Sequence, residues 1–154
     1  MTRPAAEVAR TSRLIQYWLP VLLMLVLQFV FSTDWFSSDH TSRFILPLLR
    51  FLLPQLGMDQ LILLHHVIRK AGHVTEYCVL GVLLYRAVHI DIRNPMTLRI
   101  LTIAGIAAAA VMDELHQSFV PARTSSIGDI GFDCIGGVCA ILLMTVWRFR
   151  RVAE

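Results

Sequence analysis

The sequence predicts an all-α integral membrane bundle of four transmembrane helices, with a short interfacial helix or two between the first and second spans. Three observations lead there. Of 154 residues, 56% are hydrophobic and only 16% charged, at a mean hydropathy of +0.62, which leaves too little polar surface for a domain of this size in water. The apolar residues gather into four runs near the roughly 20-residue length that crosses a bilayer core. The basic residues fall in short clusters between those runs, as they do in the loops of membrane proteins. The wealth of Leu, Ile and Val excludes a disordered chain, and 8 Gly with 3 Cys exclude a collagen-like or disulfide-stapled one. With 14 basic against 11 acidic residues, a net charge of +3 and no basic face, nucleic acid is set aside as a partner.

The first span, residues 14–31, follows Arg3, Arg10 and Arg13. Its exit, Phe31-Ser32-Thr33-Asp34-Trp35, lacks the small-x-small cleavage site of a secretory signal, so it reads as a retained anchor. The loop 32–71 is too long and too apolar for a plain connector. Phe44, Ile45, Leu46, Leu48, Leu49, Phe51, Leu52 and Leu53 lie around Pro47 and before Pro54, with Arg43 and Arg50 seven apart on one helical face, the pattern of a short helix in the membrane interface. A second short helix, opened by Asp59 as N-cap, runs from Gln60 through Leu61 to Leu64 and His65. A lipid-dipping loop without a function of its own is the plainer alternative for the whole segment. The remaining spans are expected at about 72–89, 98–120 and 127–147.

Sorting the basic residues orients these spans, because cytoplasmic loops are rich in Arg and Lys. One side collects Arg3, Arg10, Arg13, Arg86, Arg93, Arg99, Arg148, Arg150 and Arg151; the other has Arg43, Arg50, Arg69, Lys70 and Arg123. Both termini are therefore expected in the cytoplasm, residues 1–13 and 148–154 as short tails around a single membrane domain at 14–147, with Trp147 at the inner interface. Cys78, Cys134 and Cys139 sit in apolar stretches without metal-ligand spacing and read as small buried hydrophobes.

Ionisable residues inside a bilayer are costly and tend to mark function. Three groups occur: Lys70, His73, Glu76 and Tyr77 at the start of the second span; Asp113, Glu114, His116 and Gln117 near the end of the third; and Arg123, Thr124, Ser125, Ser126, Asp129 and Asp133 around the start of the fourth. In a four-span topology all three meet at one membrane face, whichever way the chain is oriented. The expectation is a polar pocket at the outer leaflet. Each member also has a structural reading. Ser126-x-x-Asp129 fits a capping box; Lys70 and Arg123 suit lipid phosphates or ion pairs with Asp113 and Glu114; His116 and Gln117, like His40, His65 and His66, suit the interface. Asp113 and Glu114 resist such readings best, because adjacent helical positions point about 100° apart and at least one must face inward. Gly105 and Ala107 to Ala110 in the third span, with Gly128, Gly131, Gly136, Gly137 and Ala140 in the fourth, predict close packing of these two helices.

Lys70-x-x-His73-x-x-x-Tyr77, followed by Asp113-Glu114-x-x-Gln117-x-Phe119-x-Pro121-x-Arg123 and then by Asp129, Asp133 and Gly136, resembles the VanZ-like family of small bacterial membrane proteins, named for a teicoplanin-resistance accessory protein. The resemblance covers about residues 64–146. Ala122 stands where the family commonly has Gly. The resemblance implies a four-helix protein of the bacterial cytoplasmic (inner) membrane whose shared polar residues match the pocket above, and a link to glycopeptide (teicoplanin) resistance.

Three function classes follow. The first is binding of a lipid or cell-wall precursor headgroup, with Lys70 and Arg123 on phosphate and with His73, Glu76, Tyr77, Asp113, Glu114, His116, Gln117, Asp129 and Asp133 on sugar, amine or peptide groups. The second is a metal-assisted hydrolase or transferase on a lipid-linked envelope substrate, with Glu114, Asp113 and His73 as candidate catalytic groups and His73, Glu76, Asp113, Glu114 and His116 as ligand types suited to Zn, Mg or Mn. No H-E-x-x-H signature accompanies them, and the metal and cofactor stay unassigned. The third is an assembly or partner protein with a structural polar network, in which an oligomer is compatible with the sequence.

Overall fold

The computed structural model describes residues 3–121, 123 and 127–153, without the side chains of 3–10, 127 and 148–153. Among these residues five helices follow one another: α1 (Arg3–Phe31), α2 (Ser38–Leu52), α3 (Met58–Val88), α4 (Pro95–Ser118) and α5 (Ile127–Ala153), with a 3-10 turn at Asp34–Phe36 after α1. The described residues contain no strand. Local chemistry sets the starts. The Ser37 side chain accepts the His40 N–H at the head of α2, with Asp39 in the first turn and Arg50 in the last, charges that complement the helix dipole. The Asn94 carboxamide accepts both the Met96 and Thr97 N–H groups at 3.0 Å, and Pro95 occupies the first turn of α4, where no N–H is needed.

The helix α3 is the centre of the bundle and packs against α1, α2, α4 and most extensively α5. At about 46 Å for 31 residues it is longer than the roughly 30 Å bilayer core. The main core joins Val21 of α1, Tyr77, Leu80 and Ala87 of α3, and Ile106 and Ala110 of α4; a second cluster joins Tyr85, Leu98 and Ile141. Outward faces stay apolar, including Leu22, Leu23, Val26 and Phe29 of α1 and Leu142, Leu143 and Val146 of α5. Such surfaces suit lipid rather than water.

Several expectations change here. Among the described residues three helices are long and apolar enough to cross a membrane: Thr11–Phe31, Pro95–Ser118 and Gly128–Trp147. The expected fourth, 72–89, lies within α3 and is not among them, since His73, Thr75, Glu76, Tyr77 and Arg86 dilute its apolar character. The second short helix is not separate either. It is the first part of α3, which runs on through Gly72 without a break; a lone glycine inside a helix costs about 1 kcal/mol against Ala, too little to end a helix held by packing on both sides. The N-cap of that helix is Gly57 rather than Asp59, and the Gln60 Oε1 accepts the Gly57 N–H at 3.0 Å. The first interfacial helix begins earlier than Phe44, at Ser38, and includes Pro47. It buries Leu49 and exposes Phe44, Leu48 and Phe51. Ser126, the partner in the expected capping box, lies outside the described residues, as do Ala122, Thr124 and Ser125.

Close helix approach is found, but chiefly between α5 and α3. A methyl group at Gly136 would run into the Val74 carbonyl and come within 3.0 Å of Cys78 N and Tyr77 Cβ, so the two backbones meet there. Gly81 lies against Ala140, and Gly137 lies against Ile106 of α4. Gly131 and Gly72 have nothing within 4 Å of such a methyl.

Candidate functional site

The Gly136 contact fixes the register of α5 on α3, and one turn earlier on α5 it brings Asp133 beside His73. Asp133 Oδ1 stands 3.8 Å from His73 Nδ1. Asp113 of α4 completes a triangle: one donor atom from each of His73, Asp113 and Asp133 lies within 4.8 Å of the others. Asp133 is 1% exposed, and neither of its carboxylate oxygens has a hydrogen-bond partner. Asp113 is held from its own helix, where Gln117 Nε2 donates to Asp113 Oδ2 at 2.7 Å. Glu114, Gln117 and Tyr77 are buried around this centre, while His73 and Asp113 are half-buried. Both adjacent carboxylates of α4 are thus withdrawn from the surface.

The rim is cationic. Lys70 Nζ lies 2.9 Å from Asp129 Oδ1 and 4.2 Å from the centroid of the Phe132 ring, with half of its side chain exposed. Lys70 therefore pairs with Asp129 rather than with Asp113 or Glu114. Arg123, after α4, donates through Nη2 to the Phe31 carbonyl and, at 3.1 Å, to the Thr33 carbonyl, which closes the C-terminal end of α1, where helix carbonyls lack partners of their own. Burial lowers the proton affinity of Arg123 and the nearby Arg69 charge lowers it further, while Asp113, Asp34 and Glu76 oppose the shift.

Arg69 is a member of this group that sequence reasoning left in a loop. Its Nη1 donates to the Phe36 carbonyl at 2.8 Å and to Thr41 Oγ1 at 2.9 Å; burial lowers its proton affinity, against the attraction of Glu76. The signal was the spacing 69, 73, 76, which shares one face once α3 is read as unbroken. The α1 carbonyls that hold Arg123 leave no side-chain pattern to find. His116 turns away from the acids: its Nδ1 lies 3.2 Å from Ser32 Oγ, and its ring lies against Phe29, tilted by 30°, with centroids 4.3 Å apart. His65 is buried beneath α2, its Nε2 3.3 Å from Thr41 Oγ1, rather than placed at an interface, whereas His66 is exposed and His40 bonds Ser37.

The structure thus gathers parts of α1, α3, α4 and α5 into one polar cluster: four acids and an imidazole inside, cations around them. Such a group can bind a cation, share protons among its carboxyls, or present charge to a polar ligand. A separate open cleft of about 820 Å³ lies at the opposite end, lined by Tyr17, Tyr85, Arg86, His89 and Trp147 among others, and no residue of the cluster lines it. No curated protein and no solved structure matches the chain. A family model described as VanZ/LLP1 matches residues 16–148, and with so much of its length inside that match the chain belongs to the VanZ/LLP1 family.

Proposed function

We propose that this VanZ-like membrane protein binds the polar headgroup of an envelope lipid or lipid-linked cell-wall precursor at the charged end of its bundle. The observation that carries the reading is the route inward from the rim. Lys70 and Asp129 stand at the exposed edge, His73 is next and half-buried, and Asp133 lies fully buried behind it. A phosphate would meet Lys70 at the edge, with Arg69 and Arg123 nearby, and sugar, amine or peptide groups would meet the carboxylates. On this reading residues 72–88 of α3 form the fourth crossing, the cluster faces the outer leaflet of the bacterial inner membrane, and both termini are cytoplasmic. The exposed Phe44, Leu48 and Phe51 of α2 then lie among the lipid headgroups.

Mass spectrometry of lipids retained by the purified protein tests this. Wild type should carry one headgroup class in excess over the bulk membrane. Lys70→Ala should retain it up to about fivefold less, the effect of one exposed ion pair of about 1 kcal/mol. Glu114→Gln should lose selectivity for the headgroup and, in cells, any teicoplanin tolerance that expression confers. If Glu114→Gln and Arg123→Ala both left the lipid profile and expression unchanged, the headgroup reading would fail.

A further inference from the structure

We propose that His73, Asp113 and Asp133 form a binding site for a divalent transition-metal ion of the Zn²⁺ kind. The donors come from three helices yet lie within 4.8 Å of one another, with the His73–Asp133 pair at 3.8 Å. Donors around tetrahedral zinc sit about 3.4 Å apart, given metal–ligand bonds of about 2.0–2.2 Å. A contraction of about an ångström, within the reach of side-chain rotation, brings them to that spacing.

An independent observation points the same way. Asp133 is 1% exposed with both carboxylate oxygens lacking a hydrogen bond, and a buried acid without a donor is costly unless something neutralises it. The neighbouring cations are engaged elsewhere: Lys70 on Asp129, Arg69 on the Phe36 carbonyl and Thr41, Arg123 on the Phe31 and Thr33 carbonyls. A divalent ion between the two aspartates cancels both charges and gives Asp133 its missing partner. The imidazole selects the class, because Mg²⁺, Ca²⁺ and Mn²⁺ prefer oxygen donors, whereas a nitrogen donor suits Zn²⁺ better. Gln117 has the part that outer partners have in metal centres. By holding Asp113 Oδ2 at 2.7 Å it orients the carboxylate and leaves Oδ1 to the ion. Three protein donors leave at least one position for water or an anionic ligand. The site does not depend on the headgroup reading, since its test uses the metal alone.

The full chain, purified in detergent and stripped with chelator, is reloaded with ZnCl₂, with MnCl₂ and with CoCl₂, and followed by elemental analysis, by thermal unfolding and by the visible absorption of Co²⁺. Wild type should take up one ion per chain and gain thermal stability from it. His73→Gln, Asp113→Asn and Asp133→Asn should each weaken uptake by more than the roughly 10- to 100-fold that loss of an outer partner costs. Asp59→Asn, exposed in the first turn of α3, should leave uptake within about threefold, as for an exposed group. His73 is half-buried, so His73→Gln keeps the test decisive should Asp133→Asn fail to fold. No stoichiometric uptake by wild type, or uptake unchanged in His73→Gln, overturns the site. So does a wild type whose thermal stability is unresponsive to metal beside an Asp133→Asn protein at least as stable, because Asp133 then needs no ion.

Discussion

At the scale of single residues, His65 shows how burial alone makes a pH sensor of a side chain. Burial, then the Arg69 charge, then His66 lower its pKa from 6.5, so the ring holds a proton less readily in the folded protein. A depressed histidine pKa means that the unfolded chain binds the proton more readily. Its contribution to stability is complete above about 6.5, the unfolded value, and is lost as the pH falls through the lowered folded value. Acidification should therefore loosen α2 from α3 first, seen as faster hydrogen exchange in residues 38–52 below pH 6.5, and His65→Gln should flatten that dependence; equal exchange at pH 7.5 and 5.5 in wild type would contradict it. The same scale shows what a sequence conceals. His73, Asp113 and Asp133 stand out as charges in apolar surroundings, and their convergence follows from counting spans. The partners of Arg69 and Arg123 are mostly backbone carbonyls, which every residue possesses and none advertises.

Among the elements, the pairing of α5 with α3 hangs on one glycine. Gly136→Ala should abolish a monodisperse folded protein, because the added methyl meets the Val74 carbonyl and Tyr77 Cβ, backbone and core that cannot yield. Gly131→Ala, with open space around it, should be neutral or up to about 1 kcal/mol stabilising through helix propensity. Thermal unfolding of the two variants in detergent separates them, and equal behaviour would mean that the close approach is unimportant. Small residues announce that α5 packs closely. They do not say against which neighbour: α4 was expected and α3 is closest, because complementarity depends on what stands opposite, here the backbone of residues 74–78. The unbroken α3 was hidden for a related reason. Polar residues stand on both sides of Gly72, from His65 to Tyr77, and the glycine reads as a boundary although the helix continues through it.

For the whole molecule, the question is how many times the chain passes the bilayer. Among the described residues three helices qualify by length and composition, and α3 runs beside them, its Arg69–Tyr77 end near the close of α1 and its Arg86 end over the Tyr17 ring, 5.6 Å from its centroid. Cysteines introduced at Gln55 and Arg93 should label from opposite sides of the membrane, and those at Gln55 and Pro121 from the same side. Labelling of Gln55 and Arg93 from one side would remove the fourth crossing. The bond from Arg123 to the end of α1 also has a meaning in time. During synthesis α1 is made before the other helices of the bundle, yet the cation that completes its last turn lies 92 positions later in the chain. Until the segment after α4 has emerged, the anchor is inserted but unfinished. Its final carbonyls must be served by water or headgroups, and closure of the polar end becomes one of the last events of assembly, after nearly every other helix is in place.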